Sequence, residues 1–378
     1  MLQTGLLAMT FFLHPPASAE EGAEKTSTYL LDTTTETLLS ATDPERPFPP
    51  ASTAKLMTAA VVFKALEEGK LKLSTTFKVS EHAWRTGGAP ARTATMFAEL
   101  GSEIRVEDLL RGLIIQNAND AAIVIAEGMA GSEADFADLM NELAREIGLR
   151  NTRFANPTGY EAEGAHTSAR DLAVLANYIL DEFPQFYYLY SLPEFTWNNI
   201  FQRNRNPVLG EIRELDGMVS GFSETDGFNA VGSTVRGDRR FVAVVAGAPS
   251  ESARIDALKR LLDSVEKDFE EVILYDAWEP VADARTFGGT KSGVALAAEA
   301  PVRVLLPRGD RHDYKIRVVY RGPLIAPVEK GQKAGELRIL KNDVVTYRTS
   351  LVTMDRVEEG TMRTKALDSV TETLFGWW

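Results

Sequence analysis

Ser52 and Lys55 stand three residues apart in the run Pro50-Ala51-Ser52-Thr53-Ala54-Lys55-Leu56-Met57-Thr58. On a helix that spacing places both side chains on one face, a turn apart, with an amine in reach of a hydroxyl. A serine hydroxyl becomes a useful nucleophile when a base takes its proton, and a desolvated lysine can be that base. The pair is a candidate for acyl-enzyme chemistry. Spacing alone is weak evidence, since roughly one Ser-x-x-Lys arises by chance in a chain of this length. Ser264-Val265-Glu266-Lys267 is a second, with nothing chemical around it.

Context separates the two. After Ser52 the apolar residues Leu56, Ala59, Ala60, Phe63 and Leu66 recur at helical spacing, and Gly69 ends the run. Pro49-Pro50 keeps the helix from starting earlier, so Ser52 falls near its amino end, where the helix dipole favours developing negative charge.

The elements around this helix follow from periodicity. Residues 28–31 and 38–39 read as an opening strand or hairpin. Residues 106–116 form an amphipathic helix that breaks at Asn117-Ala118-Asn119, and a second helix resumes at Asp120, which reads as its cap. Ser132 opens another helix, with Phe136, Leu139, Met140, Leu143 and Ile147 on one face and Gly148 closing it. Leu172, Val174, Leu175 and Ile179 mark a further helix. Residues 228–235 and 241–246 are β-rich and joined by a turn containing Arg236-Gly237-Asp238. Turn chemistry accounts for that tripeptide without an adhesion role. A helix over 254–265 follows. Strands, a helical block, then strands closed by a helix predict an α+β domain, helices packed on an antiparallel sheet. Beyond Phe269 short alternating segments separated by Gly, Pro, Asn and Asp predict a small all-β sandwich.

Bulk composition narrows the function. The chain has 378 residues, 44% of them hydrophobic and 25% charged, which suits a folded protein with room for two domains. A net charge of -13 argues against nucleic-acid binding. With no cysteine there is neither a disulfide framework nor a thiolate nucleophile, and the four histidines lack metal-ligand spacing, so neither a metal nor another cofactor is expected. The apolar run Leu6 to Leu13 followed by Ala17-Ser18-Ala19 reads as a secretory signal lacking its basic start. The tail places Met362, Ala366, Val370 and Leu374 four apart, running into Phe375, Trp377 and Trp378. Too short and polar to span a bilayer, it suits a helix lying in the membrane interface. A helix docked on the protein's own surface is the alternative.

These residues together resemble the D-alanyl-D-alanine carboxypeptidases, the low-molecular-mass penicillin-binding proteins that trim peptidoglycan stem peptides. The similarity covers residues 50–58 and 109–122, Asn156-Pro157-Thr158-Gly159, residues 166–171, Asn204-Arg205-Asn206 and Asp216-Gly217 onward, and continues into the β module and the tail. It implies a serine β-lactamase and penicillin-binding fold over 20–268, a β-sandwich over 269–358 and a membrane-anchor helix over 359–378, behind a signal peptide at 1–19. The protein would be exported and held peripherally at the periplasmic side of the cytoplasmic membrane. Peptidoglycan pentapeptide would be the substrate and β-lactams covalent inhibitors, with no cofactor.

Two family elements are altered. Where Ser-x-Asn is expected the chain reads Asn117-Ala118-Asn119, and where Lys-Thr-Gly is expected it reads Val219-Ser220-Gly221, followed by Phe222. By the resemblance, Ser52 is the nucleophile, Lys55 its base and Asn119 the cleft amide. Ser220 and Gly221 are the strand edge that pairs with the peptide, and the oxyanion is met by the Ser52 N–H and one from the strand after Gly221. The hydroxyl missing at 117 removes a proton relay. The lysine missing at 219 removes a contact to the substrate carboxylate and a like charge that would help keep Lys55 neutral. Arg205 or Arg254 could supply a replacement cation, or be surface or structural arginines. Activity is therefore expected to be reduced or altered, the alternative being a peptidoglycan-binding homologue without turnover.

Overall fold

A computed structural model describes residues 26–375 except 213 and 310; the signal-like segment lies outside the described residues. Five antiparallel strands form the central sheet: β1 (Ser27–Asp32), β2 (Thr37–Thr42), β3 (Leu215–Ser223), β4 (Gly227–Arg236) and β5 (Arg239–Ala248), in the spatial order β2-β1-β5-β4-β3. The chain leaves the sheet after β2, builds the helical block, and returns at β3, which is therefore an edge strand.

The alternation in β5 explains why the sheet is covered on both sides. Val242, Val244 and Ala246 join one apolar cluster with the helical block, while Phe241, Ala243 and Val245 join a second with Leu258, Leu262 and Val265. Those three residues belong to a helix, Glu251–Asp268, that crosses the opposite face. A strand buried on both faces presents apolar side chains in both directions, as this one does.

The helical block centres on α1 (Ala54–Glu67), preceded by a 3-10 turn, Ala51–Thr53, that carries Ser52. Every residue from Ala54 to Phe63 is buried, Lys55 and Thr58 included, so the helix runs through the block rather than over it. Its polar side chains must then be satisfied inside the protein. Around it lie α2 (Val106–Ile115), α3 (Asn119–Ala130), α4 (Glu133–Glu146) and α5 (Ala169–Glu182). Ser132 and Ser168 cap α4 and α5 by accepting from Asp135 N and Asp171 N. Leu139, read from the sequence as part of the inward stripe of α4, is instead 36% exposed. It lies at the rim of a groove with Lys64, Phe77 and Met129, one position beyond the side of the helix that Phe136, Met140 and Leu143 bury.

Beyond Asp268 the chain forms a separate β module with its own core of Val294, Leu296, Val304, Leu337, Ile339 and Leu351. Six strands lie in the order Tyr314–Tyr320, Lys333–Lys341, Val344–Thr353, Gly293–Ala297, Pro280–Phe287 and Leu324–Ile325. The ribbon Phe269–Tyr275 with Val302–Pro307 packs its apolar side on them. A terminal helix, α6, spans Met362–Phe375 and is tied to the module where Gly288 N donates to Asp368 Oδ2 at 2.7 Å. Met362 is 82% exposed, and among the described residues no helix is long and apolar enough to cross a membrane. Trp377 and Trp378 lie outside the described residues.

Candidate active site

The serine turn is held in shape by a loop from far along the chain. Thr58 Oγ1 donates to Pro157 O at 2.7 Å, and Lys55 Nζ donates to Thr158 O at 2.7 Å. Asn156 Oδ1 organises that loop by accepting from Thr158 Oγ1 and Gly159 N. Gly159, at φ +79°, packs so closely that an added Cβ would lie 1.7 Å from Ala51 O. Ala51 itself has φ +47°, a left-handed conformation costly for a residue with a side chain, and it leads directly into Ser52. Only a glycine at 159 leaves room for that turn.

Lys55 is 3% exposed, whereas Ser52 is partly open to solvent. Burial disfavours the ammonium and lowers the Lys55 pKa to about 7, with the negative charge of Asp120 opposing the shift. The resemblance expects a lysine at 219 to help keep Lys55 neutral; desolvation lowers the Lys55 pKa without a like-charged neighbour at that position.

Strand β3 supplies the far wall. An added Cβ on Gly221 would stand 3.1 Å from Ser52 N, so the strand backbone lies against the nucleophile turn. Val219 shares the Gly221 face of the strand and joins the apolar cluster that also holds Ala54 and Met57. An apolar contact fills the place where the resemblance expects a cation. Ser220 is 8% exposed and paired in the ladder opposite Ala230.

Asn119 opens α3, with its backbone N–H donating to Ala94 O at 2.8 Å and Nδ2 donating to Thr93 Oγ1 at 3.1 Å. Asp120 departs from the reading as a helix cap. Fully buried, its carboxylate accepts from Thr95 Oγ1, Met96 N and Ala98 N as well as Ala121 N. It laces segment 95–98 to the start of α3. Asn117 adopts φ +56°, and its Oδ1 is buried without a hydrogen-bond partner among the described residues.

The two arginines part company. Arg205 is exposed, with its backbone N–H bonded to Ile115 O at 2.9 Å, which sets it at the end of α2 beside the Asn117 loop. Arg254 is 3% exposed, donates to Glu251 Oε1 at 3.1 Å and to Asn229 O at 3.5 Å, and lies over the Phe228 ring. Asn229 pairs with Gly221 across β3 and β4, so this guanidinium is at the level of the cleft strand. Its Nε is buried with no partner among the described residues.

A pocket of ≈ 390 Å³ opens beside the turn, lined by Pro50, Ala51, Tyr160, Glu161, Ala165 and Thr225. Sequence reading missed the roles of Thr158, whose backbone oxygen holds the base, and of Thr93 and Tyr160, which flank Asn119. A backbone acceptor leaves no signal in residue type. The tyrosine after Gly159 was the one visible clue, a polar aromatic directly following a recognised motif.

A sheet edge set against a buried lysine one turn from a serine defines the class, an acylating serine hydrolase of penicillin-binding architecture. The chain belongs to the D-alanyl-D-alanine carboxypeptidase family, which it matches over residues 16–250, and residues 269–359 match the C-terminal domain of penicillin-binding protein 5. It is 34% identical to the D-alanyl-D-alanine carboxypeptidase DacD of Salmonella typhimurium over 96% of this chain and 92% of that protein. To DacC of Escherichia coli it is 35% identical, over 93% of this chain and 90% of the relative. The solved penicillin binding protein 5 from Haemophilus influenzae superposes with a TM-score of 0.75 at 31% identity, covering 92% of this chain and all of that one.

Proposed function

We propose that this protein is a serine-type D-Ala-D-Ala carboxypeptidase that trims peptidoglycan stem peptides at a slower rate than a site with the full motif set. The observation that carries the reading is Lys55, buried, bonded to Thr158 O and near neutrality, one turn from a partly exposed Ser52. Ser52 Oγ attacks the carbonyl of the penultimate D-alanine while Lys55 Nζ takes its proton. The C–N bond then breaks, the terminal D-alanine leaves with that proton, and water releases the acyl group from Ser52. The Ser52 N–H and the strand N–H after Gly221 face the developing oxyanion. No cofactor takes part in these steps.

The slowing is assigned to substrate binding rather than to the base. Val219 offers the substrate carboxylate no charge, so the cation for it is proposed to be Arg205, exposed beside the Asn117 loop, or Arg254, buried at the start of the Glu251–Asp268 helix. β-Lactams, which present a carboxylate and a reactive carbonyl in the same relation, are expected to acylate Ser52. The chain is proposed to act after export, held at the outer face of the cytoplasmic membrane by α6. The exposure of Met362 and Ala366, the first members of the apolar stripe, supports that attachment.

Incubation with a fluorescent penicillin, mass mapping of the adduct, and measurement of D-alanine release from a pentapeptide test the reading together. A Ser52 adduct with slow release is expected. No adduct after prolonged exposure, with retained affinity for peptidoglycan, would instead establish a binding protein that has lost turnover.

A further inference from the structure

We propose that Tyr160 and Thr93 are positioning residues of the acylation site, fixing the Asn119 amide in place of the hydroxyl that residue 117 does not supply. The inference rests on the acyl-enzyme reading above and adds two residues to it. Asn119 Nδ2 donates to Thr93 Oγ1 at 3.1 Å, Thr93 Oγ1 lies 3.1 Å from Tyr160 OH, and Tyr160 OH donates to Thr86 O at 3.0 Å.

The direction of every proton in this chain is determined. The single phenol proton goes to a carbonyl, which can only accept. Tyr160 oxygen therefore receives the Thr93 proton, and the Thr93 oxygen is left to receive the N–H of Asn119. An asparagine side chain has two nearly equivalent orientations until its partners choose one. Here a hydroxyl that can only accept from it chooses, so Nδ2 turns to Thr93 and Oδ1 is left as the acceptor for a substrate N–H. Asn117 has no hydroxyl to offer, and its Oδ1 has no hydrogen-bond partner among the described residues.

The same short loop also sets the base. Tyr160 N donates to Thr158 Oγ1, Asn156 Nδ2 donates to Tyr160 O, and Thr158 O holds Lys55. One turn thus places the acceptor of the lysine and the anchor of the amide. Burial raises the Tyr160 phenol above its usual value, so it stays a neutral donor while Lys55 titrates.

A double-mutant cycle tests this, read as the second-order rate of acylation by fluorescent penicillin. Tyr160→Phe is expected to slow acylation about tenfold, the worth of one well-placed hydrogen bond, with little change in melting temperature. In an Asn119→Ala background the same substitution should slow it no further, because its effect passes through the amide. Thr93→Ser should retain the rate and Thr93→Val should lose it. Independent, multiplying effects of the two mutations, or an unchanged rate in Tyr160→Phe, overturn the proposal. If the unmutated protein is not acylated, the acyl-enzyme reading fails by itself. The cycle is then run on the affinity of Ser52→Ala variants for diacetyl-Lys-D-Ala-D-Ala, where non-additive losses support the positioning role, and additive losses or no binding remove it.

Discussion

At Lys55 water decides the chemistry. With a pKa of about 7 set mainly by burial, the amine is protonated below neutrality and cannot take the Ser52 proton. The acylation rate should therefore rise with pH, about tenfold per unit below 7, and level off above it. A stopped-flow pH profile flat from 5 to 9 would show that Lys55 is not the base. Ser52→Ala should abolish the adduct without unfolding the protein, and labelling that moves to Ser264 would end the assignment. Val219→Lys, alone or with Asn117→Ser, should speed acylation by about ten- to a hundredfold, since it returns a charge to the carboxylate site. A second cation beside Lys55 should also move the pH profile to lower pH. A double mutant no faster than the parent would show that these two positions do not limit the chemistry.

The element that matters most is the loop from Asn156 to Tyr160. It contacts the nucleophile turn, the base and the residues around Asn119, although it lies about a hundred positions from Ser52 in the chain. Gly159→Ala would drive a Cβ into the Ala51 carbonyl from a backbone already at φ +79°. The loop or the serine turn must move, at a cost of about 2–4 kcal/mol, and acylation should fall by more than the stability does. Thermal unfolding and labelling of that variant decide the point, and a Gly159→Ala protein that labels at the parent rate would refute the packing argument. Asp120 is comparable: three of its four accepted hydrogen bonds fasten segment 95–98 and the fourth comes from Ala121 N, so Asp120→Ala should loosen the cleft wall without touching the serine.

For the whole molecule, attachment depends on the tail. Met362 is exposed and the helix is fastened to the β module by Asp368, so its apolar stripe starts in solvent. Burying such a stripe in a lipid interface is favourable by about 25 cal/mol per Å² of apolar area, enough for reversible binding. Arg363 and Lys365 are balanced by Asp368 and Glu372, so salt should weaken it little. Co-sedimentation with anionic vesicles should be lost in a chain ending at Glu359 and in Trp377→Ser/Trp378→Ser. Equal sedimentation of full and shortened chains would mean that the helix is a structural appendage.

Local pattern alone determined much here. The serine–lysine spacing, the helix periods, the β-rich run at 241–246 and the shift to short strands after Phe269 each depend on neighbours within a few residues. Those features survive in one dimension. Three others became visible only in the folded chain. The Lys55 pKa is lowered to about 7 because ten consecutive residues of α1 are buried, and its solvation depends on which elements surround that helix rather than on any motif. Asp120 looks like a helix cap from its position, yet its carboxylate is used by a segment some twenty-five residues earlier. Thr93, Thr158 and Tyr160 act through a hydroxyl, a main-chain carbonyl and a phenol brought together from separate segments. Spacing in sequence records which side chains share an element; it does not record which backbone atoms close a hydrogen bond across elements, and in this site those bonds set both the base and the amide.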